Sequence, residues 1–336
     1  MTIPYRTQWA IKRFFAALLV VAVVIIAGLA CWLIWIQRYI IYTVDGVKLD
    51  FNLPPIKPGE LAVAPKDPDI SINFEQKNEI EEISTELTQL SGYYVETEAL
   101  NDIQTVKTQI GALPAETAVM VDVKNIRGDF YYSSAVSSNR SSYVNTAAMD
   151  DLISFLKRND IYAIARLPAL RDYSYGLNHV PDGVHHTSGG YLHMDSDGCY
   201  WLHPGREGTI SYLTRIILEL KNLGFDEVVL SDFSFPESED ILVNGDKATL
   251  LTNAASTLMA ACSTDSFAVS FVKTAEFSMP QGRTRMYLSG LDATQAAEAA
   301  QNSGIANTAV NLVFITELHD TRFDVYSVLR PLSGAH

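Results

Sequence analysis

Charged side chains stand at or just beyond the carboxyl ends of several apolar segments of the sequence. They are Glu96, Glu98, Asp122, Lys124, Arg166, Asp172, Asp232, Glu237, Lys273 and Glu276. If the segments are parallel strands of one barrel, these side chains converge on a single mouth, where barrel enzymes carry their active sites. Paired carboxylates at such a mouth are suited to acid–base and nucleophilic chemistry on glycosidic bonds. Any one of these charges could simply be a solvated residue at the rim of the barrel. The whole group is therefore stronger evidence for a functional site than any single member.

The longest predicted loop runs from about residue 170 to residue 208 and is rich in aspartate, histidine, glycine and aromatic residues. Loops of this length inside a compact domain usually serve a function. Trp201 lies in this loop, and its indole ring could stack on the apolar C–H face of a sugar. Alternatively, Trp201 could cover the core of the barrel.

Neither a metal ion nor a cofactor is expected. His185, His186 and His193 lack the H-x-x-x-H and H-E-x-x-H spacings of zinc sites. The segment Asp195–Gly198 begins like a calcium-binding loop, but Arg206 stands where the bidentate glutamate would be, so a hairpin turn is the better interpretation. No G-x-G-x-x-G follows a predicted strand, and no G-x-S-x-G is present.

Apolar segments alternate with amphipathic helical patterns from about residue 91 onward. The predicted strands are 93–95, 118–124, 161–167, 227–233, 267–272 and 309–315, with 286–288 a doubtful seventh. Strands without polar alternation indicate a parallel sheet covered on both faces. Residues 91–336 have the length of an α/β (β/α)8 TIM-type barrel, which we predict, either complete or irregular at its carboxyl-terminal end. An open doubly wound sheet is the second choice.

Residues 14–36 form a run of 23 positions without a charge, which is long enough for a transmembrane helix in contact with membrane lipid. Three basic residues and no acid precede it, so the positive-inside rule predicts a cytoplasmic segment 1–13 and an extracellular remainder. A cleaved signal peptide is the alternative, because Gly28–Cys31 loosely resembles a lipoprotein cleavage site. Residues 37–90, with five prolines between 43 and 70, are predicted to be an extended linker and entry segment before the barrel domain.

The charge balance excludes some partners. The chain has 25 Lys and Arg against 39 Asp and Glu, a net charge of −14. Nucleic acid is not expected as a partner, because its binding requires a basic face. Three cysteines are too few for a disulfide framework, although Cys199 and Cys262 could pair in an oxidising compartment.

Four segments resemble, in the same order, motifs of a bacterial family of glycoside hydrolase domains. They are Val121–Lys124 with Gly128 after it, Ala165–Leu167 followed by Arg171 and Asp172, Trp201–Pro204, and Glu219–Glu227 leading to Phe235 and Pro236. Members of this family are secreted or membrane-anchored and have a barrel distantly similar to the α-amylase type. The resemblance covers about residues 91–236 and implies the same barrel and hydrolysis of an O-glycosidic bond.

The fourth strand departs from the family pattern. The family's Phe-Asp-Tyr-x-Arg-Phe-Pro, aligned on the Phe-Pro at 235–236, would place its aspartate on Ser231 and its arginine on Ser234. Asp232 comes one position later, and a shift of one residue in a strand sends a side chain to the opposite face. Either a local bulge returns the carboxylate to the mouth, or the catalytic carboxylate is absent.

Three functions follow as hypotheses. The first is a membrane-anchored glycoside hydrolase that acts on a cell-envelope or extracellular polysaccharide, with Asp232 and either Glu276 or Glu237 as catalytic carboxylates. Its substrate would be bound by Asp122, Lys124, Arg166, Asp172 and Trp201. The second is a non-catalytic glycan-binding or scaffold protein that kept the barrel and lost the acid and the arginine. The third is an ectodomain whose acidic surface binds a basic protein.

Overall fold

The computed structural model describes Trp32 and residues 40–43, 46–49, 86–114, 116–274 and 277–332. The chain divides into two compact units, Met1–Asn78 and Glu79–His336. In the first unit, Ile40–Thr43 and Gly46–Leu49 pair as an antiparallel hairpin. The predicted transmembrane segment lies outside the described residues except for Trp32, as does most of the predicted linker. Among the residues described, no helix is both long and apolar enough to cross a membrane.

Eight short strands form a closed parallel barrel in the second unit. They are β1 (Ser91–Tyr94), β2 (Ala118–Asp122), β3 (Tyr162–Pro168), β4 (Glu227–Ser231), β5 (Ala268–Val272), β6 (Met286–Ser289), β7 (Leu312–Ile315) and β8 (Ser327–Pro331). Each strand pairs in parallel with the next, and β8 pairs with β1 to close the ring. The predicted TIM-type barrel is confirmed and complete, so the open doubly wound sheet was the wrong alternative.

Helices follow most of the strands, as a (β/α)8 arrangement requires. They are α1 (Ile103–Gly111), α2 (Thr146–Arg158), α3 (Tyr173–Asn178), α4 (Glu207–Leu223), α5 (Lys247–Cys262), α6 (Gln295–Asn302) and α7 (Thr308–Asn311), with 3-10 turns at Thr97–Asp102 and Val180–Asp182. Asn145 and Asp246 cap the amino ends of α2 and α5, each accepting a hydrogen bond from the backbone N–H three residues later. Gly224 ends α4 in the left-handed conformation, with φ of +101°.

Side chains of the strands alternate between the barrel interior and the surrounding helices. Interior residues include Met120, Ile164, Val229, Tyr287, Val313 and Leu329, which pack together inside the ring. Their neighbours Val121, Ala165, Val228 and Leu230 pack in the layer between strands and helices. Asp122, Arg166 and Ser231 each lie two positions beyond an interior residue, so they face the interior at its carboxyl end.

A fully buried ion pair closes the opposite, amino-terminal end of the barrel. Glu227, the first residue of β4, accepts hydrogen bonds from Arg285 Nη1 at 2.5 Å, Tyr287 Oη at 2.9 Å and Tyr162 Oη at 2.9 Å. Arg285 also donates to the backbone carbonyl of Thr88 at 2.7 Å. Glu227 opens its strand, and its contacts satisfy the carboxylate within the fold, as expected for a structural residue at this end.

The two cysteines of the barrel unit do not pair. Cys199 and Cys262 are both free and buried. Burial raises the pKa of each thiol to about 11. The disulfide considered from the sequence is not formed in this structure.

Candidate active site

A cavity of about 390 Å³ opens at the carboxyl end of the barrel. Its lining consists of Thr97, Asp122, Lys124, Asn125, Ile126, Tyr131, Arg166, Pro168, Ser231, Asp232, Val272, Ser289 and Ile315. These residues come from the ends of the six strands β2–β7 and from the loops after β1, β2 and β4. The cavity, which we call the mouth pocket, therefore has the position that catalytic sites occupy in TIM barrels.

Asp122 and Arg166 form a bidentate ion pair on one side of the mouth pocket. Arg166 Nε donates to Asp122 Oδ1 at 2.6 Å and Nη2 donates to Oδ2 at 2.9 Å. Thr97 Oγ1 donates to the same Oδ2 at 2.6 Å. Burial opposes the charged guanidinium, but the hydrogen bonds and charge of Asp122, with the nearby charge of Asp232, outweigh it and raise the pKa of Arg166. The pair gives the pocket a fixed, planar set of donors and acceptors.

Asp232 reaches the mouth pocket through an irregular backbone. It directly follows β4 and has φ of +49°, in the left-handed region that aspartate adopts more readily than most residues. Regular alternation would send Ser231 and Asp232 to opposite faces, yet both line the same cavity. Ser231 Oγ donates to Asp232 Oδ2 at 3.1 Å. The left-handed conformation of Asp232 therefore has the effect expected of a bulge. It places a carboxylate in the mouth pocket one position later in the sequence than the family pattern does.

Lys124, which lines the mouth pocket, forms a second ion pair with Asp172. Lys124 Nζ lies 2.8 Å from Asp172 Oδ2, and both side chains are fully buried. Lys124 also donates to the carbonyl of Pro168 at 3.1 Å, and Asp172 accepts from Tyr212 Oη at 2.8 Å and from the backbone N–H of Tyr175 at 2.8 Å. These contacts anchor the long loop after β3. Their predicted part in binding substrate stays a prediction, since both side chains already have partners within the fold.

Trp201 is held inside the long loop rather than in the mouth pocket. Its indole Nε1 donates to Asp195 Oδ2 at 2.8 Å, and the Arg171 guanidinium lies 5.6 Å from its ring centroid. Only 8% of Trp201 is exposed. Asp195–Gly198 forms the turn of a hairpin, in which the Gly198 N–H donates to the Asp195 carbonyl at 3.0 Å. Stacking of Trp201 on a sugar remains a prediction that would need the loop to move.

Of the two carboxylates proposed as partners of Asp232, the structure describes only Glu237. Glu237 is exposed on the loop after β4 and is not part of the pocket lining. Glu276 lies outside the described residues. Lys273 is exposed and lines a separate cavity beside α6. In the part of the chain that the structure describes, no three His, Cys, Asp or Glu side chains are placed to hold a metal ion.

Sequence reasoning missed several neutral residues of the pocket. Thr97 binds Asp122, and Tyr131, Asn125 and Ser289 complete the wall. Burial and the nearby charge of Asp122 raise the pKa of Tyr131 to about 12, so its phenol stays protonated. Each of these residues lies at or soon after the end of a strand, and that position was the signal available for them. They were missed because the candidates at strand ends were chosen mainly among charged residues.

Comparison with known proteins agrees with this geometry. Residues 92–277 match a family described as "Putative glycosyl hydrolase domain", and the match spans more than half of the chain. The chain belongs to this family. A search of curated protein sequences finds no match. The suspected resemblance to a glycoside hydrolase domain is therefore confirmed, and the glycosyl hydrolase domain coincides with β1–β5 and the loops that supply most of the mouth pocket.

Solved structures of other proteins are similar to this one at low identity. A hypothetical protein from Ruminiclostridium thermocellum is 20% identical over 54% of this chain and 96% of its own, with a TM-score of 0.46. An alpha-galactosidase from Thermus thermophilus is 12% identical over 60% of this chain and 41% of its own, with a TM-score of 0.40. A chitobiase from Flavobacterium johnsoniae is 9% identical over 69% of this chain and 38% of its own, with a TM-score of 0.43. The chain spans less than half the length of the latter two enzymes, and likenesses this distant indicate nothing about substrate.

Proposed function

We propose that this protein is a glycoside hydrolase that cleaves a cell-envelope or extracellular polysaccharide at its mouth pocket, with Asp232 as a catalytic carboxylate. The observation that supports this most is the left-handed turn at Asp232, which places a carboxylate in the pocket although the family's acid position holds Ser231. A strained backbone at a pocket residue is common in functional sites. Membership of the glycosyl hydrolase domain family supplies the reaction class.

Asp122 and Asp232 have different parts in this proposal. Both oxygens of Asp122 are engaged by Arg166 and Thr97, so Asp122 is better suited to position the guanidinium than to attack a sugar. Asp232 accepts a hydrogen bond from the Ser231 hydroxyl. It acts either as the nucleophile that attacks the anomeric carbon or as the general base that deprotonates the attacking water. Arg166, whose side chain is 28% exposed, binds hydroxyl oxygens of the substrate.

The second carboxylate is proposed from the loops after β4 and β5. Glu276 follows β5, the strand next to β4, and Glu237 follows β4 itself. In this proposal, one of these two carboxyl groups protonates the leaving oxygen. A separation from Asp232 of about 5 Å would give retention of anomeric configuration, and one of about 6.5–9.5 Å would give inversion.

A non-catalytic glycan-binding protein is the second candidate, and the identity of residue 231 favours it. Ser231 occupies the inward position at the end of β4, where the resembling family would have its acid. A hydroxyl cannot replace a carboxylate that stabilises an oxocarbenium-like transition state. In this candidate, Arg166, Asp122 and Asp232 bind sugar hydroxyls without turnover.

The proposed location of the reaction rests on residues 14–36. Their uncharged run and the basic residues before it favour a single-pass anchor with an extracellular barrel. A polysaccharide of the envelope or its surroundings is the substrate class that such an anchor would bring within reach. Protease digestion of intact cells tests the orientation: cleavage of the barrel unit from outside supports it, and protection of that unit contradicts it.

Turnover of glycans by the full-length chain tests the function. Fluorescently labelled envelope and extracellular polysaccharides are incubated with the wild type, Asp232→Asn and Asp160→Asn. Asp160 is a matched control because it also adopts a left-handed conformation, with φ of +50°, but is exposed at the end of α2. We expect fragments from wild type and Asp160→Asn and none from Asp232→Asn. Binding by the wild type without fragments would favour the non-catalytic candidate.

A further inference from the structure

A second concave surface lies on the long loop after β3, apart from the residues that line the mouth pocket. It has a volume of about 540 Å³, within the range of small-ligand sites, and is lined mainly by His186, Tyr191, His193, Met194, Tyr200 and Asp240. We call it the loop groove. None of its residues lines the mouth pocket.

The loop groove presents an aromatic platform to solvent. Tyr191 is 56% exposed, the second most exposed large hydrophobic residue of the described chain. One face of its ring is covered by His186, with ring centroids 4.9 Å apart and an interplanar angle of 25°. The His186 N–H donates to the Tyr191 carbonyl at 3.1 Å and fixes the pair. The platform is thus held in place by the protein while much of the tyrosine stays exposed.

Polar groups stand beside this platform. Asp240, exposed on the loop after β4, has its backbone carbonyl bound to the Thr187 N–H at 3.0 Å, which ties it to the hairpin that carries Tyr191. Burial, and the neighbouring imidazole of His186, lower the pKa of His193, so this ring is neutral at pH 7 and can donate and accept. An aromatic face flanked by a carboxylate and a neutral imidazole matches a pyranose, whose apolar C–H face is bordered by hydroxyls.

The topology connects the loop groove with the mouth pocket. The groove is built from the loops that follow β3 and β4, the same strands whose ends supply Arg166 and Asp232 to the pocket. In a TIM barrel all such loops lie on one face. A chain of sugars bound in the pocket could therefore extend across this face toward Tyr191.

We propose that the loop groove is a separate glycan-binding subsite that holds a more distant sugar of a polysaccharide chain by stacking on Tyr191, with Asp240 and His193 bonding to its hydroxyls. This proposal rests on the proposed function, because it assumes that the substrate is a polysaccharide. The subsite favours long chains over short ones and raises affinity without taking part in bond cleavage.

Affinity electrophoresis of the full-length chain in native gels tests this subsite. The gels contain soluble glycol chitin, laminarin or galactomannan, and the variants are Tyr191→Ala and Asp240→Asn. Tyr143→Ala is the matched control, because Tyr143 is 52% exposed but lines no part of the groove. In whichever polysaccharide retards the wild type, we expect Tyr191→Ala to weaken binding roughly two- to tenfold, as loss of one stacking contact would, and Tyr143→Ala to leave it unchanged.

Two contrary outcomes are distinguishable. If the wild type is retarded and Tyr191→Ala is retarded as strongly as Tyr143→Ala, the groove is not a glycan subsite and the proposed function stands. If no polysaccharide retards the wild type, the proposed function is contradicted and the groove proposal falls with it. Chain length gives a further readout: the gain in affinity from disaccharide to polymer should shrink in Tyr191→Ala, and an unchanged gain would overturn the proposal.

Discussion

The buried pair between Glu227 and Arg285 gives a prediction whose size can be worked out from its contacts. Arg285→Met removes the guanidinium from a carboxylate that is fully buried and leaves it with two tyrosine hydroxyls, those of Tyr162 and Tyr287. Breaking a buried pair by removing one partner costs about 3–5 kcal/mol. A domain of ordinary stability has about 5–15 kcal/mol in total, so the variant should fold but unfold at a much lower denaturant concentration.

Urea unfolding followed by circular dichroism measures this loss. Arg322→Met is the control, because its pair with Asp320 is exposed and links residues two apart on one loop; we expect no measurable change there. The double variant Arg285→Met/Glu227→Gln should recover part of the loss, since it removes the unpaired charge as well.

A loss in Arg285→Met no larger than that in Arg322→Met would refute this account of the buried Glu227–Arg285 pair.

Three further predictions concern single residues. Asp232→Ala should destabilise the chain by about 1 kcal/mol and Asp232→Gly should not, because a φ of +49° is unfavourable for residues other than Gly, Asn and Asp. Equal stabilities of the two variants in thermal melts would contradict the left-handed turn. Cys199 and Cys262 should resist thiol reagents until the chain unfolds, because both are buried and their pKa values are raised to about 11, and rapid labelling of either in the native chain would show otherwise. Burial raises the folded-state pKa of Asp226 above its ordinary value of 3.8, so ionisation of Asp226 lowers the stability of the wild type as pH rises above that value. The stability of Asp226→Asn relative to wild type should therefore be greater at pH 7 than at pH 3. A difference in urea midpoints that is the same at both pH values would contradict this.

The central strands of the barrel could be predicted from the sequence because each is a continuous apolar segment. Residues 118–124, 161–167 and 267–272 overlap β2, β3 and β5 closely. Such strands are buried on both faces, so hydrophobicity alone reveals them.

The last strand was not predicted, and its sequence explains why. β8 reads Ser-Val-Leu-Arg-Pro and has only two aliphatic residues. Ser327 is buried because its hydroxyl donates to the carbonyl of Val310 at 2.9 Å and accepts from the Leu90 N–H at 2.9 Å. Those partners are far away in the sequence, so no local sequence pattern predicts that this serine is buried in a strand.

The candidate site was predicted in part. Placing Asp122 and Arg166 at strand ends predicted their convergence, and the structure adds that they form a bidentate pair. Strand alternation alone suggested that Asp232 would point away, and only the backbone at that position shows otherwise. A left-handed aspartate has no signature in a single sequence, since aspartate also ends strands in ordinary turns.

Chemical rescue at Asp232 tests most directly the claim that this residue carries the reaction. Asp232→Gly keeps the left-handed backbone without strain and leaves space for a small carboxylate. The measurement is the turnover of an activated aryl glycoside of the sugar that the wild type cleaves, with and without sodium formate. The account predicts that turnover is lost in Asp232→Gly and returns when formate is added. Turnover by Asp232→Gly at the wild-type rate without formate would contradict it.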